Sequence, residues 1–80
     1  MPDYTQSILY FYNEGLKKLP NDLHLYTQLK EFSCAYNKLT QIDNLPSNIE
    51  LLYCDNNKIT QLDNLPHSLK VLHCQENNIT

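Results

Sequence analysis

Arginine is missing altogether from these 80 residues, so all six positive side chains are lysines, at 17, 18, 30, 38, 58 and 70. Along the sequence they read as scattered rather than gathered into a stripe. With a net charge of −3, this excludes a general basic surface for nucleic acid and gives no reason to expect binding to anionic lipid. Also missing is any apolar run approaching the roughly 20 residues that a membrane-spanning helix needs. The opening MPDYTQSILYFYNEG lacks the basic start, long apolar stretch and small-residue cleavage site of a secretion signal. An intracellular, reducing location is therefore expected, and the sequon Asn78-Ile79-Thr80 reads as chance in a chain with ten asparagines. Three cysteines are an odd number, which argues against a disulfide framework. The length makes one domain near the lower limit for a self-sufficient core.

What the chain does have is a repeat with a period of twenty residues. LKEFSCAYNKLTQIDNLPSN begins at Leu29, IELLYCDNNKITQLDNLPHS at Ile49 and LKVLHCQENNIT at Leu69. Cys34, Cys54 and Cys74 recur at that spacing, as do Asn37, Asn57 and Asn77, and Leu39, Ile59 and Ile79. Such self-similarity predicts a stacked array whose units are too small to bury an apolar face alone. In the second copy Leu52-Tyr53-Cys54 alternates inward, outward, inward, the period of a short strand. The later spacing of three at Ile59, Leu62 and Leu65 suits turns or extended backbone better than a helix. Pro46 and Pro66 fix the bend before the next unit. Stacking such units lines up parallel strands about 4.8 Å apart. Asn37, Asn57 and Asn77 then stand where the strand turns away, and a buried amide there serves backbone groups that the turn leaves unpaired.

The string LxxLxCxxNxLTxLxxLPxx, strong over residues 29–80, resembles the leucine-rich repeat in its short twenty-residue form. It is similar to repeats of secreted bacterial effectors, and the cysteine-containing variant looks like repeats encoded by giant DNA viruses of amoebae. Upstream, Leu16, Leu19, Pro20, Leu23, Tyr26 and Leu29 fit a longer form spanning 23 residues from Leu16 to Leu39. Leu9 and Phe11 take inward places in a first strand expected over Ile8 to Tyr12. Glu14 stands where the asparagine belongs, so residues 1–28 are expected to form a divergent amino-terminal capping coil. Residues 29–48 and 49–68 are full repeats and 69–80 a truncated one. The resemblance implies a repeat solenoid: a right-handed coil of about three and a half turns, with a concave parallel β-sheet and a mostly irregular or 3₁₀ convex side. It also implies a non-enzymatic role in binding other proteins; the intracellular location expected above is the cytoplasm, the chain's own or that of a host cell.

Catalytic, metal and cofactor readings find little support. The three cysteines are expected inward, stacked between leucines as small hydrophobes with suppressed reactivity. His73 and Cys74 suggest a ligand pair, but neighbours on a strand point to opposite faces. Asp43 and Asp63, each followed by Asn-Leu-Pro, read as side-chain-bonded turns rather than acid/base groups. No cofactor or metal is expected.

The outward strand positions are the candidate protein-binding face. One row holds Tyr10, Ser33, Tyr53 and His73, a second Tyr12, Ala35, Asp55 and Gln75, and a third Glu31, Leu51 and Val71. Tyr36, Asn56 and Glu76 lie just beyond. Tyrosines on a rigid sheet offer contact area with little rotamer entropy to lose, and Leu51 beside Val71 is unusual unless covered. The alternative is a self-assembling structural protein. A last coil without its return path exposes the layer under Ile59, Leu62 and Leu65, and leaves an unpaired strand edge. This predicts a homodimer through the carboxy-terminal coil, using Val71, Leu72, His73, Gln75 and Ile79.

Overall fold

The computed structural model describes residues 2–79. Four three-residue strands, β1 (Ile8–Tyr10), β2 (Glu31–Ser33), β3 (Leu51–Tyr53) and β4 (Val71–His73), form one parallel sheet in chain order. Ile8, Glu31, Leu51 and Val71 lie side by side, as do Tyr10, Ser33, Tyr53 and His73. The register therefore reproduces the sequence spacing, with one step of 23 residues from Ile8 to Glu31 and then two of 20. The longer first step accommodates a 3₁₀ turn, Leu23–Leu25. Leu23 is fully buried there, and no comparable turn interrupts residues 34–50 or 54–70.

Each strand is short because it need bury only one central side chain. Phe32 and Leu52 fill those places in β2 and β3 with no exposure at all, each adding about 1.5–3 kcal/mol of burial. Leu29, Leu39, Ile49 and Ile59 complete the layers, and Cys34 and Cys54 fill the narrow places between them. Phe11 meets the Phe32 ring edge-on with centroids 5.7 Å apart. Tyr4 closes the other side of this end: its ring lies edge-on to Tyr26 at 4.9 Å, and its hydroxyl donates to Asp22 at 2.7 Å.

The first strand is shorter than Ile8 to Tyr12. Pairing goes on, with Phe11 N–H donating to Ser33 O at 2.8 Å and Asn13 N–H to Ala35 O at 3.1 Å, but Asn13 already has φ +54°. The same left-handed kink falls on Tyr36, Asn56 and Glu76. It turns each coil away from the sheet just before the position of the recurring asparagine. A second kink falls on Asn44 and Asn64, at φ +59° and +57°. This corrects the expectation that Asp43 and Asp63 make the turn. Asp43 instead accepts from Gln41 Nε2 at 2.7 Å, and the left-handed conformation, which asparagine tolerates best after glycine, is taken by the next residue. Among the described residues no helix is long and apolar enough to cross a membrane.

The three asparagines tie coil to coil. Asn57 Nδ2 donates to Cys54 O at 3.0 Å and Asp55 O at 3.2 Å in its own coil, and to Cys34 O at 3.1 Å in the coil before. Its Oδ1 accepts from Leu39 N–H at 3.0 Å. Asn37 repeats the pattern on Phe11 O, Cys34 O, Ala35 O and the Glu14 and Leu16 amides. Glu14, lacking the amide, is thus served by its neighbour. Asn77 does the same for Cys54, Cys74, Gln75 and Ile59.

Asn57→Leu orphans several buried backbone groups, at about 1–3 kcal/mol each. Urea denaturation is expected to show a loss of at least ~2 kcal/mol, with a clearly smaller loss for Asn77→Leu, whose coil is only half-buried.

Candidate binding face

Alternation along β1–β4 sends one set of side chains to the core and the other to a single surface. Tyr10, Tyr53 and His73 stand in one row and Glu31, Leu51 and Val71 in another, as their sequence positions require. Ile8, half-exposed, heads the second row; the β1–β2 register shows this, whereas the sequence alone put Ile8 merely at a strand start. The pairing of Tyr36 N–H with Asp55 O and Asn56 N–H with Gln75 O carries the next row onward.

Two members of the face are not available to a partner. Ser33 and Ala35 are buried. Tyr10, Tyr12, Glu31 and Tyr53 surround Ser33 in a shallow depression of about 250 Å³. The Tyr12 and Tyr36 rings pack at 5.2 Å between centroids, and Tyr53 lies against the His73 imidazole at 4.9 Å. Tyr10 Oη hydrogen-bonds Glu31 Oε2, and that bond, followed by desolvation and the Glu31 charge, pushes the phenol pKa up. The face is therefore aromatic over small residues. Its charge is acidic: Glu31, Asp55 and Glu76 occur between positions 31–36, 51–56 and 71–76, and no lysine does. Asp55 Oδ1 is covered and has no hydrogen-bond partner among the described residues.

The other sequence candidates fall elsewhere. Leu72 and Cys74 pack half-buried against the core, while His73 turns to the strand face beside Tyr53. The neighbouring His73 and Cys74 thus point apart. Gln75, Val71 and Ile79 are exposed. All three cysteines are free thiols, with Cys34 and Cys54 buried and Cys74 only half-buried. Among the described residues no group of three or more His, Cys, Asp or Glu could hold a metal ion. The lysines are a correction: scattered in sequence, four of them, Lys17, Lys18, Lys38 and Lys58, border one cavity. Lys30 and Lys70 flank Glu50 instead, at 3.7 and 3.8 Å.

A parallel sheet built one strand per coil, with an asparagine amide clamping every coil to the last, is a leucine-rich architecture. In agreement, the family described as Leucine Rich repeats (2 copies) matches residues 27–67. That is 41 of the 80 residues, and the chain belongs to the leucine-rich repeat family. No curated protein and no solved structure matches it.

Burial dominates the cysteine chemistry. Desolvation, then the Cys74 and Asp55 charges, push the Cys54 thiol up to about 12 from 9.0. Cys34 is raised further, again chiefly by burial. A group held neutral by the fold stabilises it fully below its unfolded pKa and ceases to do so as pH climbs toward the folded value. Stability is therefore expected to fall between pH 9 and about 12, and Cys34→Ala/Cys54→Ala should flatten that fall in urea titrations run across the range. Thiol labelling of native protein is expected to modify Cys74 first, leaving Cys34 and Cys54 protected until denaturation.

Proposed function

We propose that this chain is a non-enzymatic protein-interaction module that receives an extended polypeptide segment on its strand face, the concave side of a right-handed coil. Leucine-rich repeats suggest a protein-interaction role in general. One observation supports this face in particular: of seven exposed large hydrophobic residues among the described ones, Ile8, Tyr10, Tyr12, Tyr36 and Val71 border it. Exposed apolar side chains gathered on one rigid surface mark a site of association, and tyrosine brings area at low entropic cost. The acidic side chains among them specify the partner's charge. A segment carrying lysine or arginine beside an apolar residue complements Glu31, Asp55 and the tyrosine-lined depression. The finer likeness, to effector repeats and to the cysteine-containing repeats of giant viruses acting on host proteins inside the cell, is part of the same proposal. It is supported by the twenty-residue spacing of Cys34, Cys54 and Cys74.

A peptide array varying basic and aromatic residues provides the test. Tyr53→Ala and Leu51→Asp are each expected to weaken the selected peptides about tenfold or more, with Thr60→Ala, away from the face, as the control. Unchanged binding by both variants would sink the concave-face reading.

A second reading, self-association, is supported by the β4 edge. β4 pairs only with β3 among the described strands, and Leu62, Leu65, Leu69 and Leu72 behind it are only half-buried. Antiparallel pairing of two β4 edges would give a homodimer through Val71, Leu72, His73 and Gln75, with Ile79 alongside. Light scattering at micromolar concentration is then expected to give twice the chain mass and, for Val71→Lys, the single mass; a stable wild-type monomer refutes it.

A further inference from the structure

The cavity bordered by lysines lies apart from the strand face, where the chain leaves the asparagine ladder and enters the return path. Its volume is about 520 Å³, and its rim includes Lys17, Lys18, Lys38 and Lys58. The repeat explains the gathering. Lys38 and Lys58 occupy the same place in consecutive coils, fixed by their amides donating to Leu16 O and Leu39 O at 2.8 Å each. Lys17 and Lys18 follow Leu16 directly, so the longer first coil brings two more ammonium groups to the same opening. The buried Leu19 forms part of the wall.

Charge is strongly divided as a result. Four lysines against one carboxylate, Asp43, give this cavity +3, so the remaining residues must carry −6 to reach the net −3. Gln41 Nε2 already occupies Asp43 Oδ2 at 2.7 Å. Among the described residues the only ion pairs are those of Lys30 and Lys70 with Glu50, so none of the four cavity lysines is paired, and Asp43 is the one carboxylate on their rim. A sphere of the cavity's volume is about 10 Å across, so a group at its centre lies about 5 Å from the rim, inside the ~8 Å screening length at physiological salt. The four charges therefore act together on anything inside. Thr40, Asn21 and Asn44 on the same wall add neutral donors at positions where an oxyanion has several acceptors to satisfy.

We infer that this cavity is an anion site taking a compact group with two or more phosphoryl charges. Such an anion supplies the missing counter-charge within one open depression, whose volume is in the usual range of small-molecule sites. A singly charged ion leaves most of the repulsion in place. The site is independent of the strand face and of whatever binds there.

Tripolyphosphate titrated into the whole chain in physiological salt, followed by backbone amide NMR, tests it. Saturable shifts confined to residues 17–21, 38–44 and 58 are expected, together with a rise in Tm. Lys17→Gln/Lys38→Gln removes two charge-assisted partners and is expected to weaken binding by roughly tenfold or more. Lys30→Gln/Lys70→Gln, with the same change in net charge, is expected to leave affinity within about twofold, since an exposed pair contributes little. A peptide with two adjacent phosphoserines, run in parallel, assigns the group to a polypeptide if it binds more tightly than tripolyphosphate, and to a free polyanion if it binds less tightly. Absence of saturation for both probes, an equal response to sulfate at matched ionic strength, or equal weakening by the two double variants overturns the assignment.

Discussion

Each coil of this chain is too small to satisfy its own backbone, and a single side-chain amide per coil makes up the shortfall. The turn off each strand points carbonyls of residues 34, 54 and 74 inward, where water cannot reach most of them. An asparagine three residues later takes that carbonyl, the carbonyl of the next residue and one from the coil before, while its own oxygen holds an amide across the same gap. Glutamine is too long for this geometry and leucine offers nothing to bond. The left-handed residue immediately before each asparagine follows from the same demand, since only a sharp reversal swings the amide back under the strand. Strand register, the inward column of Phe32 and Leu52, and the placement of the outward rows all depend on that clamp.

Much of this could be read from the sequence because it repeats. A period of twenty fixes which residues stack, and the alternation at Leu52-Tyr53-Cys54 fixes which way they face; the sheet register agrees residue for residue. The candidate face was legible to the same extent, as rows of Tyr10, Tyr53 and His73 or of Leu51 and Val71. What escaped depends on distances the period does not encode. Ser33 and Ala35 occupy outward places but are buried, because side-chain size rather than alternation decides exposure there. Asp43 and Asn44 are adjacent, and only the backbone angle tells which makes the turn. Lys17 and Lys18 look remote from Lys38 and Lys58 until a 23-residue coil is laid on a 20-residue one.

The molecule thereby acquires two surfaces of opposite character. The strand side is aromatic and acidic, with rings braced against one another and against His73. The side where the chain leaves the asparagines is basic. Repetition sets Lys38 and Lys58 at the same height in consecutive coils, whereas on the strand side it fixes the rows but not the residue types, which change from Ser33 to Tyr53 to His73. A charge that recurs even twice becomes a column.

Parallel strands that each pair with a neighbour 20 or 23 residues away also set how the chain gains and loses order. No strand waits for a distant segment, so every added coil closes a loop of about the same length and meets about the same entropic toll. Folding can spread like a zip from the best-buried pair, β2 and β3, toward either end. The gradient from the fully buried Leu52 to the half-buried Leu9 on one side and Leu72 on the other makes the route back equally directional: the outer coils peel first, and the β2–β3 centre is the last part of the array to let go.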